Sequence, residues 1–236
     1  MKMKKTALLL LPILLIPGVF NAARAQDRVK PQLSVDFVSS YVWRGMHLGK
    51  AAVQPTLGLE WKGLEFSVWG NAGLVEHMGE LDLTLSYTIG GLTLSIVDYW
   101  DDTSGMRYFY YKPQDTAHVF EGVVAYDFGP VAISWQTLFA GNDFQAVSGK
   151  RSFSSYFEVS APFRLATLDW VAAAGVVPWA SDYYNTKGFG LTNLSLKATK
   201  DIPVTEKFSL PIFAQLIANT VSGNFYFVAG ITIKAF

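Results

Sequence analysis

Alternation of apolar and polar residues is the dominant pattern of this sequence. From Leu33 onward it recurs in about twelve segments of about ten residues, for instance L-D-L-T-L-S-Y-T-I at Leu81–Ile89. Successive side chains of a β-strand point to opposite faces, so each segment predicts a strand that is apolar on one face only. No window of comparable length has the 3.6-residue period of an amphipathic helix. The pattern therefore predicts an all-β fold.

Short and long connections alternate between these segments. Short turns are predicted at Lys62-Gly63, Gly90-Gly91, Gly129-Pro130 and Pro162–Ala166, and longer polar loops at Met46–Ala51, Val75–Glu80, Asp101–Thr116, Gly141–Ser152 and Pro178–Gly188. Asp201–Lys207 departs from the rule, because it is long where a short turn is expected. Outer-membrane barrels have this arrangement, with short periplasmic turns and longer outer loops.

We therefore predict a transmembrane antiparallel up-and-down β-barrel of about twelve strands. In lipid, a closed ladder gives every backbone donor and acceptor a partner. Aromatic residues near the strand ends would form girdles at the two membrane interfaces. The girdle candidates are Tyr41, Trp43, Trp61, Trp69, Tyr99, Trp100, Tyr126, Phe128, Trp179 and Tyr183.

Residues 1–25 have the pattern of a secretory signal peptide. A start with three lysines precedes the aliphatic run Leu8–Ile16, and Ala23-Arg24-Ala25 is a small-x-small cleavage site. The run is too short to span about 30 Å of hydrocarbon, so we expect cleavage and a barrel domain over residues 26–236. Four of the 19 basic and none of the 19 acidic residues are lost, which leaves 15 against 19, a net charge of −4.

The composition argues against several classes of protein. The chain has no cysteine, so it has no disulfide, no thiolate metal site and no cysteine nucleophile. It has no dense basic face, so no nucleic-acid partner is expected. No glycine-rich phosphate loop is found, and no cofactor is predicted.

A stretch at the start of the predicted barrel carries a family resemblance. Residues 39–45 read S-S-Y-V-W-R-G, Val53-Gln54-Pro55 follows, and residues 58–71 read G-L-E-W-K-G-L-E-F-S-V-W-G-N. Over Val35–Asn71 the chain resembles the TorF-type family of outer-membrane porins, although W-G-N stands where that family has W-x-S-N. The resemblance implies an outer-membrane porin. It implies no substrate and no catalytic residues.

Charged residues on the polar phase of the strands are the candidate site. A charge facing lipid costs about 2–4 kcal/mol at mid-bilayer for Arg or Lys, so these residues are expected to line the lumen or its rims. They would form the charged wall of a mildly cation-preferring pore, or pair with one another in a plugged lumen. The candidates are Asp36, Arg44, Glu60, Glu65, Asp82, Glu121, Glu158, Asp169, Lys197 and Lys234. Asp98 is out of phase with them and is expected at the outer rim.

The longest loop, Asp101–Thr116, contains four consecutive aromatic residues, Tyr108, Phe109, Tyr110 and Tyr111. They could fold inward as a constriction, form an outer surface that contacts a ligand, or extend the β-ribbon. These three arrangements stay open, and the Asp101–Thr116 loop is the candidate gate of the channel.

His47, His77 and His118 all fall in or beside predicted outer loops. A metal cluster or a serine–histidine lipid hydrolase would require them to converge with other side chains, and isolated loop histidines are the simpler interpretation. Asp101-Asp102 with Asp115 lacks the spacing of an EF-hand calcium loop. Neither a metal site nor a catalytic residue is predicted.

These patterns together predict an outer-membrane porin-like channel for passive transport of ions or small hydrophilic solutes. Its partners would be outer-membrane lipids, the barrel-assembly machinery during insertion, and the solutes. Two alternatives stay open. A lipid-acting enzyme would bring a histidine, a serine and an acid together at the outer rim, facing lipid. A closed structural or surface-binding barrel would have a lumen blocked by charge pairs and large side chains.

Overall fold

The computed structural model describes residues 28–75, 79–206 and 208–235, and within these ranges twelve antiparallel strands close into a barrel. In chain order the strands are β1 (Lys30–Val38), β2 (Tyr41–Trp43), β3 (Met46–Gly49), β4 (Ala52–Trp61), β5 (Leu64–Gly73), β6 (Gly79–Ile89), β7 (Leu92–Asp101), β8 (His118–Asp127), β9 (Ala132–Gly141), β10 (Ser155–Leu165), β11 (Leu168–Val177), β12 (Gly190–Thr205), β13 (Phe208–Asn219) and β14 (Asn224–Lys234). Strands β2 and β3 form a separate hairpin, and Asp102–Ser104 form a short 3₁₀ helix. The predicted fold class is confirmed.

The barrel closes where β1 pairs with β14 as well as with β4. Every other barrel strand pairs with its neighbours in chain order, so the ladder has no open edge. The predicted signal peptide, His77 and Phe236 lie outside the described residues, and the proposed domain boundary stays a prediction.

The outside of the barrel is apolar. Leu57, Ile96 and Leu216 are all more than half exposed, while their chain neighbours on the opposite phase point into the barrel. A water-soluble protein would bury such side chains, whereas a barrel in lipid turns them outward. No helix within the described ranges is long and apolar enough to cross a membrane, a finding that concerns helices alone.

One end of the barrel, here called the turn end, has tight connections. Lys62-Gly63 joins β4 to β5 and Ala166-Thr167 joins β10 to β11, with positive φ at all four residues. Positive φ at both central residues defines the type I′ turn, whose twist matches that of paired strands. The turn that the sequence placed within Pro162–Ala166 lies slightly later than predicted, because β10 continues to Leu165.

The long connection expected at Asp201–Lys207 is wrong. Strand β12 continues to Thr205 and pairs with β13 over this stretch, with a shift of register between Pro203 and Thr205. Because proline cannot donate to a ladder, it is found at irregularities of this kind. The turn end is therefore more regular than the sequence predicted, and the longer connections all lie at the opposite end, here called the loop end.

Candidate functional site: a hairpin across the lumen

The hairpin of β2 and β3 crosses the inside of the barrel. It leaves the wall where β1 ends and returns to it at β4, and these two strands are neighbours. Its tip, Arg44-Gly45, contacts β8 and β10, which lie about half-way round the ring from that point. The predicted loop Met46–Ala51 is therefore largely part of an inward-folded hairpin. Tyr41 and Trp43, predicted to lie in a lipid girdle, are inside the lumen.

The tip of the hairpin is a tight turn against the barrel wall. Arg44 and Gly45 have φ values of +49° and +79°. A Cβ on Gly45 would lie 1.8 Å from the carbonyl oxygen of Thr192, so the close approach requires glycine. The amide of Asn219 donates a hydrogen bond to the Gly45 carbonyl at 3.0 Å. The R-G pair of the sequence motif thus fixes the hairpin against β12 and β13.

Arg44 and Glu121 form a buried, bidentate ion pair at this tip. The two terminal nitrogens of Arg44 donate to the two carboxylate oxygens of Glu121 at 2.6 and 2.8 Å. The Tyr99 hydroxyl donates to the same carboxylate at 2.8 Å, and Arg44 Nη1 donates to the Tyr184 hydroxyl at 2.5 Å. The Glu121 side chain is fully buried. Two parallel charge-assisted bonds fix the orientation of both groups.

Aromatic rings enclose the guanidinium group. Its carbon lies 4.2 Å from the centre of the Trp43 ring and 4.8 Å from that of Tyr156, distances at which a cation is attracted to the ring face. Trp43 in turn stacks with Tyr184, with 6.0 Å between ring centres. Burial raises the pKa of the Tyr184 hydroxyl, so this group stays protonated at neutral pH.

The two flanks of the hairpin pack against opposite parts of the wall. Val42 lies against the buried cluster of Val38, Ala52, Ile217 and Val228. On the other flank, Met46 packs against a second cluster, formed by Tyr156, Val177 and Tyr184. The hairpin is therefore held by apolar contacts along its sides as well as by the ion pair at its tip.

An acidic wall faces one side of the hairpin. Tyr41 packs on Trp69 with 5.6 Å between ring centres, and the Glu80 carboxylate on β6 lies close to its hydroxyl. Asp82, on the same strand, is nine-tenths buried, and its Oδ1 atom has no hydrogen-bond partner in the described part of the chain. Because Arg44 is engaged by Glu121, it does not compensate these two carboxylates.

A cavity of about 360 Å³ lies between the hairpin and strands β6–β8, at the loop end. Its lining includes Leu48 from the hairpin, Glu80 and Tyr99 from the wall, and Met106 and Tyr183 from loops. The cavity therefore combines carboxylate and aromatic groups beside the hairpin that crosses the lumen.

Below the hairpin, toward the turn end, the lumen-facing positions are mostly small. Alternation with Asp82, Tyr99 and Glu158 places the following residues on the inner face: Thr84, Ser86, Ser95, Ser134, Ser160 and Ala173. Hydroxyl and methyl groups leave room for water where the large side chains of the hairpin do not reach.

Two of the predicted lumen residues have partners on this inner face. Glu158 accepts hydrogen bonds from the Tyr156 hydroxyl at 2.6 Å and from the Asn193 amide at 3.1 Å. Lys197 Nζ lies 4.1 Å from the centre of the Phe213 ring. These groups are compensated locally, unlike Asp82. The Oδ1 atom of Asp36, like that of Asp82, is buried and has no hydrogen-bond partner among the described residues.

The remaining predicted residues lie at the turn end. Glu60 forms an ion pair with Lys30 at 3.1 Å, and Glu65 lies opposite Glu60 in the register of β4 and β5. Asp169 is exposed, 3.8 Å from the equally exposed Arg164. Lys234 is exposed near the end of β14. The structure therefore divides the predicted set into a buried group at the hairpin and a solvent-exposed rim.

The four consecutive aromatic residues 108–111 of the aromatic loop lie outside the lumen. Tyr111 stacks on His118 with 4.3 Å between ring centres, and Tyr108 packs edge-on against the same ring. His118 is on the phase opposite to Glu121, which is the outer face of β8. Phe109 and Tyr110 are exposed. Of the three arrangements left open for this run, the inward constriction is wrong, because the anchoring ring of the run lies outside the barrel. A ligand-contacting outer surface stays a prediction, and the hairpin occupies the lumen instead.

The described histidines are far apart in the fold. His47 stacks on Tyr226 inside the barrel, with 5.8 Å between ring centres, whereas His118 lies on the outer face. Within the described ranges no three His, Asp or Glu side chains are grouped so as to hold a metal ion. Asp115 is paired with Lys112 in the aromatic loop.

Tyr99, Tyr184 and Asn219 belong to the constriction but were not among the predicted site residues. Tyr99 could have been found from the sequence, because it shares the inward phase of β7. Tyr184 lies in the connection between β11 and β12, where alternation gives no orientation. Asn219 ends a strand, and its role depends on the hairpin turn that it contacts.

No protein-family model matches this chain, and no curated protein matches it. Among solved structures, the chain is similar to OccK8 (OprE) from Pseudomonas aeruginosa, with 13% sequence identity and a TM-score of 0.37. The alignment covers 87% of this chain and 63% of the OccK8 chain. What this barrel does is therefore inferred from its own geometry, and the resemblance to TorF-type porins stays a prediction.

Proposed function

We propose that the protein is a narrow outer-membrane channel for ions or small hydrophilic solutes, with the β2–β3 hairpin as its constriction. The observation that supports this most is the hairpin itself: it crosses a closed barrel that is apolar outside, and Arg44 at its tip pairs with Glu121 of the wall. Small hydroxyl-bearing residues line the lumen below it. A pore needs this combination of a lipid-facing exterior and a wet, narrowed interior.

The channel is expected to prefer cations mildly. Glu80 and Asp82 line the side of the lumen next to the hairpin, and Arg44 is already engaged by Glu121. In a confined lumen with low-dielectric walls, an excess of one sign of charge concentrates the opposite ion. Permeating cations would therefore pass between the hairpin and the β6 wall.

Single-channel recording in a planar bilayer with a salt gradient tests this proposal. The purified barrel should give small ohmic steps with a cation-favouring reversal potential. Asp82→Asn should reduce that preference. Asp169→Asn removes the same charge from the exposed turn-end rim, so it is the matched control and should change the preference less. Folded wild-type barrels that never conduct would exclude the proposal.

A second candidate is a closed structural or surface-binding barrel. The complete burial of Glu121 and the contacts on both flanks of the hairpin favour it. The two candidates differ in one measurable respect. A closed barrel is silent as wild type and conducts only when the hairpin is released, for example by Arg44→Ala.

The lipid-acting enzyme is not favoured by the described geometry. An acid and a histidine do meet on the outer face, as Asp98 and His118, but the second ring nitrogen of His118 faces the Tyr108 carbonyl oxygen at 2.5 Å. A general base needs that nitrogen free to take a proton from a nucleophile. We therefore propose no catalytic residue. Outer-membrane lipids, the assembly machinery and the solutes remain the partners that a channel of this kind would have.

A further inference from the structure

A buried polar pair lies on the outer face of the barrel, outside the lumen. Asp98 is in phase with Leu94 and Ile96, which are both about half exposed on the outside of β7. Its Oδ1 atom lies 2.7 Å from Nδ1 of His118 on β8. The His118 side chain is nevertheless fully buried, and that of Asp98 is 14% exposed. Something other than the barrel wall must therefore cover the pair.

The aromatic loop is the cover. Tyr108 and Tyr111 pack against the His118 ring, and the Tyr108 ring also contacts Trp100. The Thr116 hydroxyl accepts a hydrogen bond from the His118 backbone amide at 3.0 Å and donates one to the Tyr110 carbonyl at 2.5 Å. These contacts place the loop directly over the imidazole.

Both nitrogens of the imidazole face acceptors. Nδ1 faces the Asp98 carboxylate, and Nε2 lies 2.5 Å from the Tyr108 carbonyl oxygen. A neutral imidazole carries one N–H, so it can satisfy only one acceptor. Both contacts are made only when the Asp98–His118 pair holds two protons, one in the Nδ1–Oδ1 contact and one on Nε2.

We propose that Asp98 and His118 form a proton-dependent latch that holds the aromatic loop against the outer wall. When the pair loses a proton, one N–H remains for two acceptors. The Asp98 carboxylate, being charged, keeps it. The Tyr108 carbonyl then faces a lone pair, so the loop loses its central hydrogen bond. The latch is closed at low pH and opens as the pH rises.

Of the groups around the latch that could change charge with pH, we expect the Asp98–His118 pair to be the one that does. Asp98 faces His118 from β7, and Tyr108 and Tyr111 face it from the loop. Desolvation and the nearby Asp98 carboxylate raise the pKa of Tyr108, so this hydroxyl does not ionise between pH 5 and 9. The neighbours on the β8 and β9 outer faces, Phe120 and Phe139, carry no charge.

Opening the latch would alter the access to the lumen, an effect that rests on the proposed channel function. The same loop contributes Ser104, Met106 and Thr116 to the lining of the cavity beside the hairpin. A loop released from the outer wall cannot hold these residues in place. The latch would thus couple external pH to the shape of the cavity.

The chain has no cysteine, so a single reporter can be introduced. Phe109 is almost fully exposed and packs edge-on against Tyr108, so Phe109→Cys can carry a nitroxide spin label that reports the motion of the loop. We expect the label to be immobile at pH 5 and mobile at pH 9, in barrels that stay folded throughout. The measurement requires no conductance, so it can fail or succeed independently of the channel proposal.

Three variants make the assignment specific. His118→Phe keeps the ring but not the hydrogen bonds, so the label should be mobile at every pH. Asp98→Asn offers an amide N–H that can donate to Nδ1, so the imidazole N–H stays on Nε2 for the Tyr108 carbonyl and the label should stay immobile up to pH 9. His47→Phe, which replaces the other described histidine, should leave the midpoint unchanged. A midpoint that survives His118→Phe, or a label with the same mobility at pH 5 and pH 9, would overturn the latch.

Discussion

Two connections at the loop end that contain aromatic rings, residues 39–51 and 102–117, fold to opposite sides of the same wall. The first crosses the lumen, where the Arg44 guanidinium lies between the rings of Trp43 and Tyr156. The second lies on the outer face, where Tyr111 covers His118. Both combine rings with a buried charged or polar partner, so aromatic content does not decide the direction in which a loop folds.

The wall decides it. On β8, Glu121 points inward and His118 points outward, three residues apart. The Arg44 guanidinium pairs with the Glu121 carboxylate inside the barrel, and the Tyr108 carbonyl faces the His118 ring outside it. An unpaired buried charge is costly, so each loop goes to the side on which its polar groups are satisfied. We call the Arg44–Glu121 pair the inner anchor and the packing of the aromatic loop on His118 the outer anchor. If this account is right, loss of the inner anchor should lower the stability of the barrel more than loss of the outer anchor.

Loss of the inner anchor is expected to have the largest effect. Arg44→Ala leaves the Glu121 carboxylate buried and unpaired, which should destabilise the barrel by about 3–5 kcal/mol and free the tip of the hairpin. Conductance per channel should rise. Unfolding by urea in lipid vesicles and bilayer recording measure the two effects.

The double variant Arg44→Ala, Glu121→Ala is the control, because it removes both charges. The double variant should lose less free energy of unfolding than the sum of the losses of the two single variants. The difference measures the interaction of the pair. Additive losses would show that the hairpin is held by its apolar flanks alone.

A steric change in the hairpin turn should have the next largest effect. In Gly45→Ala the new methyl group meets the Thr192 carbonyl oxygen at 1.8 Å, at a φ of +79°. Backbone strain of about 1–2 kcal/mol would be joined by about 1–3 kcal/mol of overpacking.

Gly105→Ala, in the aromatic loop, is the matched control. It has a φ of +66° and no atom near the position of the methyl group, so it should show the backbone strain alone. Thermal unfolding of both variants gives the comparison. Equal losses would mean that the hairpin can shift away from the wall without cost.

Alternation was sufficient to predict the wall but not the connections. Period two fixed the twelve strands and placed Asp82, Glu121 and Glu158 on one phase, since that phase is a property of each strand by itself. Tyr41 and Trp43 continue the same period beyond Val38, where the chain leaves the barrel, so the rule placed them in lipid. Nothing local distinguishes a strand that continues from a hairpin that turns inward.

The direction of each loop depended on long-range partners. Arg44 is 77 residues from Glu121 and 140 from Tyr184 along the chain, and no pattern in one sequence joins them. The sequence alone is compatible with an inward constriction by residues 108–111, because it does not show that their anchor, His118, lies on the outer face of β8. Asp98 and His118 are brought together by the register of β7 and β8, which the sequence alone does not give.

The outer anchor should respond more weakly than the inner one. Tyr111→Ala removes a ring that stacks on His118 at 4.3 Å and is itself about half exposed. We expect a loss of about 0.5–1.5 kcal/mol, increased mobility of the 102–117 loop, and a change in single-channel conductance smaller than that of Arg44→Ala. Limited trypsin digestion at Arg107 reports the mobility. A conductance change as large as that of Arg44→Ala would place the aromatic loop in the conduction path.

The smallest effect is expected for an ion pair of the same chemistry at the turn end. Lys30 and Glu60 lie 3.1 Å apart, close to the Arg44–Glu121 distance, but the Lys30 side chain is 71% exposed. Water screens such a pair, and exposed pairs contribute about 0–1 kcal/mol. Glu60→Gln should therefore leave the urea midpoint nearly unchanged at moderate salt. If it cost as much as Glu121→Gln, burial would not be what separates the two ends of the lumen, and the hairpin would lose its special status as the anchored element.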